Sequence, residues 1–300
     1  MLKIAFNSCY AHPLPEGHRF PMEKYSLLPE QLRYEGTLSE DNFFDPRPAS
    51  NAEVLKVHDP EYFDKLKAVN LSRKEERATG FPLSKQLVAR ELAITGGTVQ
   101  AVDFALQYGA AGNIAGGTHH AYRNRGEGFC LLNDAAVAAC HALDCRGLSR
   151  LLVVDLDVHQ GNGTAKIFEN EPRVFTFSMH GAKNYPLKKE KSDLDIPLPD
   201  GTDDRAYLKI LRNALPRLVQ EVEPDLIFFQ SGVDVLASDK LGRLSLTPEG
   251  CRQRDIFVFE TARVNGVPVV FNMGGGYSER IAVIVEAHAN TYRAAQEIFF

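Results

Sequence analysis

The sequence lacks the features that mark membrane proteins and nucleic-acid-binding proteins. No lysine- or arginine-rich tract is longer than a few residues, and the 300-residue chain has a formal net charge of −5. The basic patch that nucleic-acid partners require is therefore missing. No apolar run approaches the length that crosses a bilayer, and the N-terminus MLKIAFNSCYAHPLPEG has only a very short one. We expect a cytoplasmic protein that binds neither nucleic acid nor a membrane directly.

Cysteine is also scarce, and its spacing argues against the common cysteine-based sites. The five cysteines are an odd number and contain no CxxC pair. This pattern is typical of reduced thiols in a cytosolic compartment and indicates neither a disulfide framework nor a zinc–thiolate site. Cys130 alone lies beside residues of interest, and it would need an activating neighbour to act as a nucleophile.

The composition is that of an ordinary globular protein. Apolar residues make up 44% of the chain and charged residues 24%, which excludes disordered, collagen-like and coiled-coil classes. The sequence contains no internal repeat, no low-complexity tract and no linker rich in proline, glycine or serine. We therefore expect residues 1–300 to form one domain, which is longer than most single domains but within the range of large α/β domains.

Short apolar runs alternate with longer helical patterns along the chain. Six runs predict strands buried on both faces: 2–7, 113–117, 150–158, 173–179, 225–232 and 267–273. The predicted helices are 85–109, with Gly96-Gly97 indicating close packing; one capped by Asn133 and ended by Gly147; 203–222; one opened by Thr247-Pro248; and one starting at Ser278. This alternation predicts an α/β fold with three layers, in which helices cover both faces of a mostly parallel sheet.

Four of the predicted strands are followed by polar residues of the kinds used in catalysis. GGTHHA places His119 and His120 after the strand at 113–117, and DLDVH places Asp155, Asp157 and His159 at the end of the strand at 150–158. Asp234 follows 225–232, and GGGY, ending in Tyr277, follows 267–273. Because ligands bind beyond the carboxyl ends of parallel strands, we expect all of these residues to meet at one rim of the sheet.

The residues at this rim fit a metal site. Asp155, Asp157 and His159 alternate along the chain, so on an extended strand they would share one face. A single buried aspartate or histidine is often only a hydrogen-bonding residue, but burying three such groups without a cation would be costly. Asp157, His159 and Asp234 match the three-ligand pattern of catalytic zinc.

The remaining rim residues have chemical roles beside such a metal. The paired histidines could act as general acid and base, and the glycines before them would bend the chain so that both face the metal. Tyr277, on a triple-glycine loop that we expect to be flexible, could donate a hydrogen bond to a developing oxyanion.

The ordered motifs GGTHHA, GFCLLND, DLDVHQGNGT, SGVDVLASDKLG and MGGGYS resemble those of the zinc-dependent histone deacetylase family. The resemblance extends over nearly the whole chain, from HPLPEGHRFPMEKY and VHDPEYFDKL to the glycine–tyrosine loop. Within this family, the sequence is most similar to the class IV branch and to bacterial histone-deacetylase-like amidohydrolases. The resemblance implies an arginase/deacetylase fold.

The resemblance also implies a set of site residues. The implied catalytic residues are His119, His120, Asp155, Asn162 and Tyr277, with His120 as general base; the substrate-binding residues are Gly128, Phe129 and Gly275. One zinc ion would be held by Asp157, His159 and Asp234, and ferrous iron would be compatible with the same site. A structural potassium ion would be held by Asp155, Asp157, His159, Ser178 and Met179.

One position departs from the family pattern. Asn162 stands where many members have an aspartate behind a catalytic histidine, which changes the charge expected beside His120. The implied reaction is hydrolysis of an acyl-lysine amide in a protein or peptide by metal-activated water, giving a free amine and a carboxylate.

Several alternatives remain open from the sequence. The substrate could be an acetylated polyamine or another small amide, or the chain could be a non-catalytic relative that binds acyl-lysine. DLDVH could belong to a magnesium-dependent phosphatase, although His119, His120 and GGGY would then have no role. A manganese ureohydrolase would need more carboxylates than these strands carry. The sequence does not determine the acyl group or the oligomeric state.

Overall fold

The computed structural model describes all 300 residues. Its strands form one eight-stranded sheet, in which every neighbouring pair of strands is parallel. The strands are β1 (Lys3–Ala5), β2 (Phe43–Phe44), β3 (Ala110–Asn113), β4 (Leu151–Asp155), β5 (Val174–Gly181), β6 (Leu194–Leu198), β7 (Leu226–Gln230) and β8 (Val269–Asn272). Their order in the sheet is β2-β1-β3-β8-β7-β4-β5-β6. The predicted α/β fold with a parallel sheet is confirmed.

Ten helices connect and cover the strands. They are α1 (Lys24–Tyr34), α2 (Asn51–Val54), α3 (Pro60–Lys67), α4 (Arg73–Thr79), α5 (Lys85–Tyr108), α6 (Asp134–Arg146), α7 (Asn162–Phe168), α8 (Asp204–Val222), α9 (Pro248–Val264) and α10 (Ile281–Phe299). The side chains of Asn133 and Thr247 cap α6 and α9 as predicted, because each accepts a backbone N–H of the first helical turn. None of the ten helices combines the length and apolar content needed to cross a membrane.

The sheet separates two apolar cores, and alternate residues of each strand supply them. In β4, Leu152 and Val154 join the larger core, which includes side chains of α1, α8, α9 and α10. Leu151 and Val153 point to the opposite face and pack with residues of α5, α6 and α7. Both faces of every central strand are thus buried, which explains why these strands are continuously apolar.

Gly96 and Gly97 allow α5 to pack closely against its neighbours. A Cβ atom added at Gly96 would lie 1.8 Å from the carbonyl oxygen of Arg47, and one added at Gly97 would lie 2.7 Å from the hydroxyl of Tyr10. The sequence-based interpretation of this glycine pair as a close-packing site is confirmed.

Four strands that deliver site residues are adjacent in the sheet. β3, β8, β7 and β4 are consecutive, although β3 and β8 are separated by more than half of the chain. The loops that follow their carboxyl ends therefore lie side by side at one rim. This arrangement places the expected site between the tandem histidines on one flank and the DLDVH segment on the other.

Several predicted boundaries were wrong. The third strand comprises residues 110–113, not 113–117, so NIAGG leads out of the sheet instead of crossing it. β4 ends at Asp155, so Asp157 and His159 lie in the loop after the strand and do not share the face of an extended strand. The last helix begins at Ile281 and not at Ser278. The sequence analysis missed β2, which has two residues, and β6, an edge strand that contains a proline and is largely half-buried.

Candidate metal centre and active site

Asp157, His159 and Asp234 come together at the carboxyl ends of β4 and β7. Their ligand atoms all lie within 4.8 Å of one another, and the residues are 1%, 8% and 0% exposed, respectively. His159 Nδ1 lies 3.1 Å from Asp157 Oδ1 and 3.1 Å from Asp234 Oδ2. Although Asp157 and His159 are not on a strand, the turn after β4 brings both side chains to the same point.

The charges in this group fit a bound cation. Burial disfavours a charged imidazole, yet the carboxylates of Asp157 and Asp234 raise the pKa of His159 to about 10, because its proton is placed between them. Two carboxylates buried so completely require positive charge nearby. Two aspartates and one histidine are a ligand set that zinc accepts at a catalytic site with one position left open.

Backbone amides hold the two carboxylates in position. Val158 N–H donates to Asp234 Oδ1 at 2.9 Å, and Gly275 N–H donates to Asp157 Oδ2 at 2.9 Å. A Cβ atom added at Gly275 would lie 2.0 Å from Asp234 Oδ2, so only glycine fits there. The GGGY loop is therefore tightly packed against the carboxylates, contrary to the expected flexibility. Gly275 contacts Asp157 and Asp234 directly, while its role in substrate binding stays a prediction.

The tandem histidines are turned toward the same point by the glycines before them. Gly116 and Gly117 have φ angles of +79° and +74°, a conformation that favours glycine. A Cβ atom at Gly117 would lie 2.1 Å from the side chain of Gln230. The rings of His119 and His120 have centroids 4.2 Å apart, and both residues are about 95% buried.

His119 is backed by a carboxylate. Its Nδ1 lies 2.7 Å from Asp155 Oδ2, and its Nε2 lies 3.9 Å from Asp157 Oδ1. Burial opposes protonation, but the charges of Asp155 and Asp157 outweigh it and raise the pKa of His119 to about 9. His119 is therefore cationic at neutral pH when no metal ion is bound nearby.

His120 is backed by an amide. Its Nδ1 lies 2.6 Å from Asn162 Oδ1, and Asn162 Nδ2 donates to the hydroxyl of Tyr122 at 3.0 Å, which fixes the orientation of the amide. The amide oxygen can only accept, so the proton of neutral His120 resides on Nδ1 and Nε2 is left as a proton acceptor. Burial and the neighbouring charges of His119 and His159 hold the pKa of His120 well below 6.5.

Tyr277 completes a narrow pocket above these residues. The pocket is lined by the tandem histidines, Asp157, His159 and Tyr277. Tyr277 N–H donates to Asp239 Oδ2 at 2.6 Å, which orients the residue. Burial and the charges of Asp234 and Asp157 hold the pKa of Tyr277 well above 10, so its hydroxyl remains a donor.

Gly128 and Phe129 lie on the wall of this pocket, and their role in substrate binding stays a prediction. Phe129 has a φ angle of +67°, which is strained for a residue with a side chain. Its ring packs against Phe20 and Tyr277, with centroid distances of 5.0 and 5.9 Å. A Cβ atom at Gly128 would lie 2.7 Å from Cδ2 of His120, so this glycine permits the close approach of the pocket wall to His120.

The residues expected around a potassium ion are also neighbours. Ser178 pairs with Asp155 in the register between β4 and β5, and Met179 follows it; both are buried. The Ser178 hydroxyl lies 2.9 Å from His180 Nδ1. A potassium ion at this position stays a prediction.

Two tyrosines near the site were missed by sequence reasoning. Tyr122 contacts Asn162 as described above, and its position directly after GGTHHA was an available signal. Tyr185 packs edge-on against His120 with a centroid distance of 5.0 Å, and its hydroxyl donates to Glu127 Oε2 at 2.7 Å. Tyr185 lies in the segment between β5 and β6, where no spacing or pattern identifies it.

Comparison with known proteins identifies the family of this arrangement. Residues 18–292 match the family model described as the histone deacetylase domain. An uncharacterized protein of Picosynechococcus sp. is 43% identical over 297 residues, covering 99% of each chain. Histone deacetylase 2 of Arabidopsis thaliana is 31% identical over 277 residues, covering 89% of this chain and 72% of the relative. The chain therefore belongs to the histone deacetylase family.

A solved structure agrees with this assignment. The crystal structure of a histone deacetylase homologue complexed with SAHA superposes with a TM-score of 0.86 at 26% identity, covering 99% of this chain and 84% of that one. The chain is thus a deacetylase domain of this family, with the fold that the sequence motifs implied.

Proposed function

We propose that the protein is a zinc-dependent deacylase that hydrolyses the amide of an acyl-lysine side chain. The observation that supports this most is the single narrow pocket into which Asp157, His159, His120 and Tyr277 all face. The residues present fit zinc, and zinc bound there would supply Lewis acidity and acidify a water molecule toward neutral pH. Binding of SAHA by a homologue is consistent with an acyl-chain-shaped pocket above the metal centre.

His120 is the general base in this proposal. Its Nε2 takes a proton from the attacking water, because Asn162 holds the other ring nitrogen as a donor. The resulting imidazolium returns the proton to the leaving nitrogen when the carbon–nitrogen bond breaks. Water and amide thus become a carboxylic acid and an amine, which ionise to a carboxylate and an ammonium group, with no net change in protons on the protein.

Tyr277 and His119 stabilise charge that develops during this reaction. The Tyr277 hydroxyl donates a hydrogen bond to the oxyanion, a role that requires it to stay protonated. His119, held by Asp155, places an imidazole beside the base. Phe129 and Gly128 shape an apolar wall suited to the methylene chain of a lysine side chain.

The proposal is tested by measuring metal content and hydrolysis on the same purified sample. Acetyl-, propionyl- and longer acyl-lysine peptides are assayed together with acetylated polyamines, before and after removal of the metal and addition of zinc. We expect peptide hydrolysis that depends on about one zinc per chain. Binding of acyl-lysine without turnover by the zinc-loaded protein would instead support the non-catalytic alternative.

A further inference from the structure

The mouth of the active-site pocket has a charge opposite to that of the whole protein. The pocket opens into a cavity of about 310 Å³, whose lining includes the exposed side chains of Arg19, Lys183 and Arg243 and no carboxylate. The whole chain carries a net charge of −5. A cationic ring therefore surrounds the entrance to a site in an acidic protein.

Most of this positive charge is not neutralised. Lys183 and Arg243 share one carboxylate, Asp200, with nitrogen–oxygen distances of 3.7 and 3.2 Å. Arg19 has no carboxylate within 4 Å, and its guanidinium lies 5.0 Å above the ring of Phe129. Three cations and one anion leave a surplus of two positive charges at the mouth.

The other carboxylates near the mouth are already engaged. Glu127 accepts hydrogen bonds from Arg125 and from the hydroxyl of Tyr185. Asp239 accepts backbone N–H groups, including that of Tyr277. The charge of Glu127 is balanced by Arg125, and Asp239 does not line the mouth.

The positive surplus is confined to the mouth. The adjoining groove, formed by residues 11–23 and 278–279, contains Glu16, Glu23 and Glu279 together with Arg19 and Lys240. This groove is mixed in sign and gives no strong preference. Any charge selection therefore acts on the part of the substrate next to the acylated amine.

We propose that the mouth selects an acyl-lysine flanked by aspartate or glutamate and disfavours polycationic substrates. This inference rests on the proposed deacylase function and narrows its substrate class. Acetylated polyamines and acyl-lysines among lysines and arginines carry positive charges where the surplus of Arg19, Lys183 and Arg243 lies, so they are repelled. An acidic residue beside the acyl-lysine is attracted to the same surplus.

The expected effect is moderate, because the cations are exposed. Pairing two substrate carboxylates with exposed cations corresponds to about a 2- to 30-fold gain in kcat/KM. The gain should appear mainly in KM, since none of the three cations belongs to the group that binds the metal or moves the proton. It should shrink as salt rises, because the screening length falls to about 3 Å at 1 M ionic strength.

The test compares acetyl-lysine peptides of one length and sequence whose two residues on each side are glutamate, glutamine or arginine. We expect kcat/KM of the zinc-loaded protein to decrease in that order, and N-acetylspermidine to be a poorer substrate than the glutamine peptide. The preference should weaken between 0.05 and about 1 M sodium chloride. Equal rates for the three peptides, or a preference for arginine, would overturn the inference.

Variants of the mouth give a second, independent measurement. The double variant Lys183→Glu/Arg243→Glu should reverse the order of the peptides, and Asp200→Asn should strengthen the preference for glutamate. Lys209→Glu is the matched control, because Lys209 is exposed on α8 and does not line the mouth. A reversed order in the control, or an unchanged order in the double variant, would contradict a role for these cations.

The two levels of the proposal fail in different ways. If every peptide is hydrolysed without regard to charge, the deacylase function stands and only the charge selection is wrong. If no acylated peptide or polyamine is hydrolysed, the proposed function is wrong and the substrate selection with it. The charge preference can also be measured without turnover. Fluorescence anisotropy then gives the affinity of the same peptides for a Tyr277→Phe variant.

Discussion

His119 and His120 are adjacent in sequence and nearly in ring contact, yet their environments favour opposite protonation states. The carboxylate of Asp155 lies behind His119, whose pKa is raised to about 9 although burial opposes it. The amide of Asn162 lies behind His120, whose pKa is held well below 6.5 by burial and by neighbouring positive charge. With no metal ion bound nearby, His119 thus carries positive charge, while His120 has a free nitrogen that accepts a proton. The comparison shows that the charges around each ring, and not the ring itself, decide which protonation state the environment favours.

The largest expected effect comes from removing the metal ligands that both histidines face. Asp157→Ala or Asp234→Ala should reduce bound zinc from about one equivalent per chain to near zero and abolish hydrolysis, because two remaining ligands do not hold a catalytic zinc. Metal content is measured by atomic emission on the purified variants. Asp103→Ala, which removes a surface carboxylate that pairs with Arg146, is the control. Full zinc content in both ligand variants would refute the ligand assignment.

The next largest effect is a difference in turnover between alanine variants of the two histidines. His120→Ala should lower kcat by about 10²- to 10⁴-fold, the range for loss of a general base. His119→Ala should cost less, because it removes the imidazole beside the base but not the nitrogen that accepts the proton. Both variants should keep their zinc. If the two losses are equal, or if His119→Ala is the more damaging, the assignment of His120 as base is incorrect.

A smaller effect is expected at the oxyanion donor. Tyr277→Phe removes one hydroxyl and should lower kcat by roughly 10²- to 10³-fold with metal content and thermal stability unchanged. Steady-state kinetics on the best acyl-lysine peptide measure the change. Turnover at the wild-type rate would mean that another group stabilises the oxyanion.

The smallest effect is a shift in pH dependence, and it tests the comparison most sharply. Asn162→Asp places a carboxylate behind His120, which favours imidazolium and raises the pKa of the group that must be deprotonated for attack. The acidic limb of kcat/KM should therefore move to higher pH, since that limb reports the essential base of the free enzyme. Zinc content should not change, because Asn162 is not a ligand.

The matched variant is Asp155→Asn, which replaces the carboxylate behind His119 with an amide. It should lower the pKa of His119 and leave the acidic limb close to its wild-type position, because His119 is not the base. A shift caused by Asp155→Asn and not by Asn162→Asp would assign the base role to His119.

The buried strands, and the meeting of the polar residues that follow them at one rim, could be predicted because their signals are local. Continuous apolar runs indicated β4, β7 and β8, and each was followed by the polar residues now found at the rim. β3 was misplaced because its sequence, AAGN, has no β-branched or aromatic residue, and its burial comes from strands on both sides. The short edge strands β2 and β6 are specified by neighbours distant in sequence, so no local pattern revealed them.

The details of the site depended on contacts that a sequence pattern does not encode. The departure at Asn162 was visible, but its pairing with Tyr122, which orients the amide, was not. The GGGY loop was expected to be flexible because glycine is permissive, whereas Gly275 is required by the close approach of two carboxylates. The cations at the mouth come from three separate segments and meet only in the folded chain.

The position of the β3–β8 pair has a consequence for local opening of the protein. β3 and β8 are joined by a register of four residue pairs, and every strand preceding α6 lies on one side of this boundary. Asp157, His159 and Asp234 lie on the other side, while His119 and His120 follow β3. A fluctuation that separates β3 from β8 would therefore leave the group of Asp157, His159 and Asp234 intact but detach the two histidines; under the proposed function, the protein would keep its metal and lose catalysis. Amide hydrogen exchange along Ala110–Asn113 and Val269–Asn272 reports how often β3 and β8 separate.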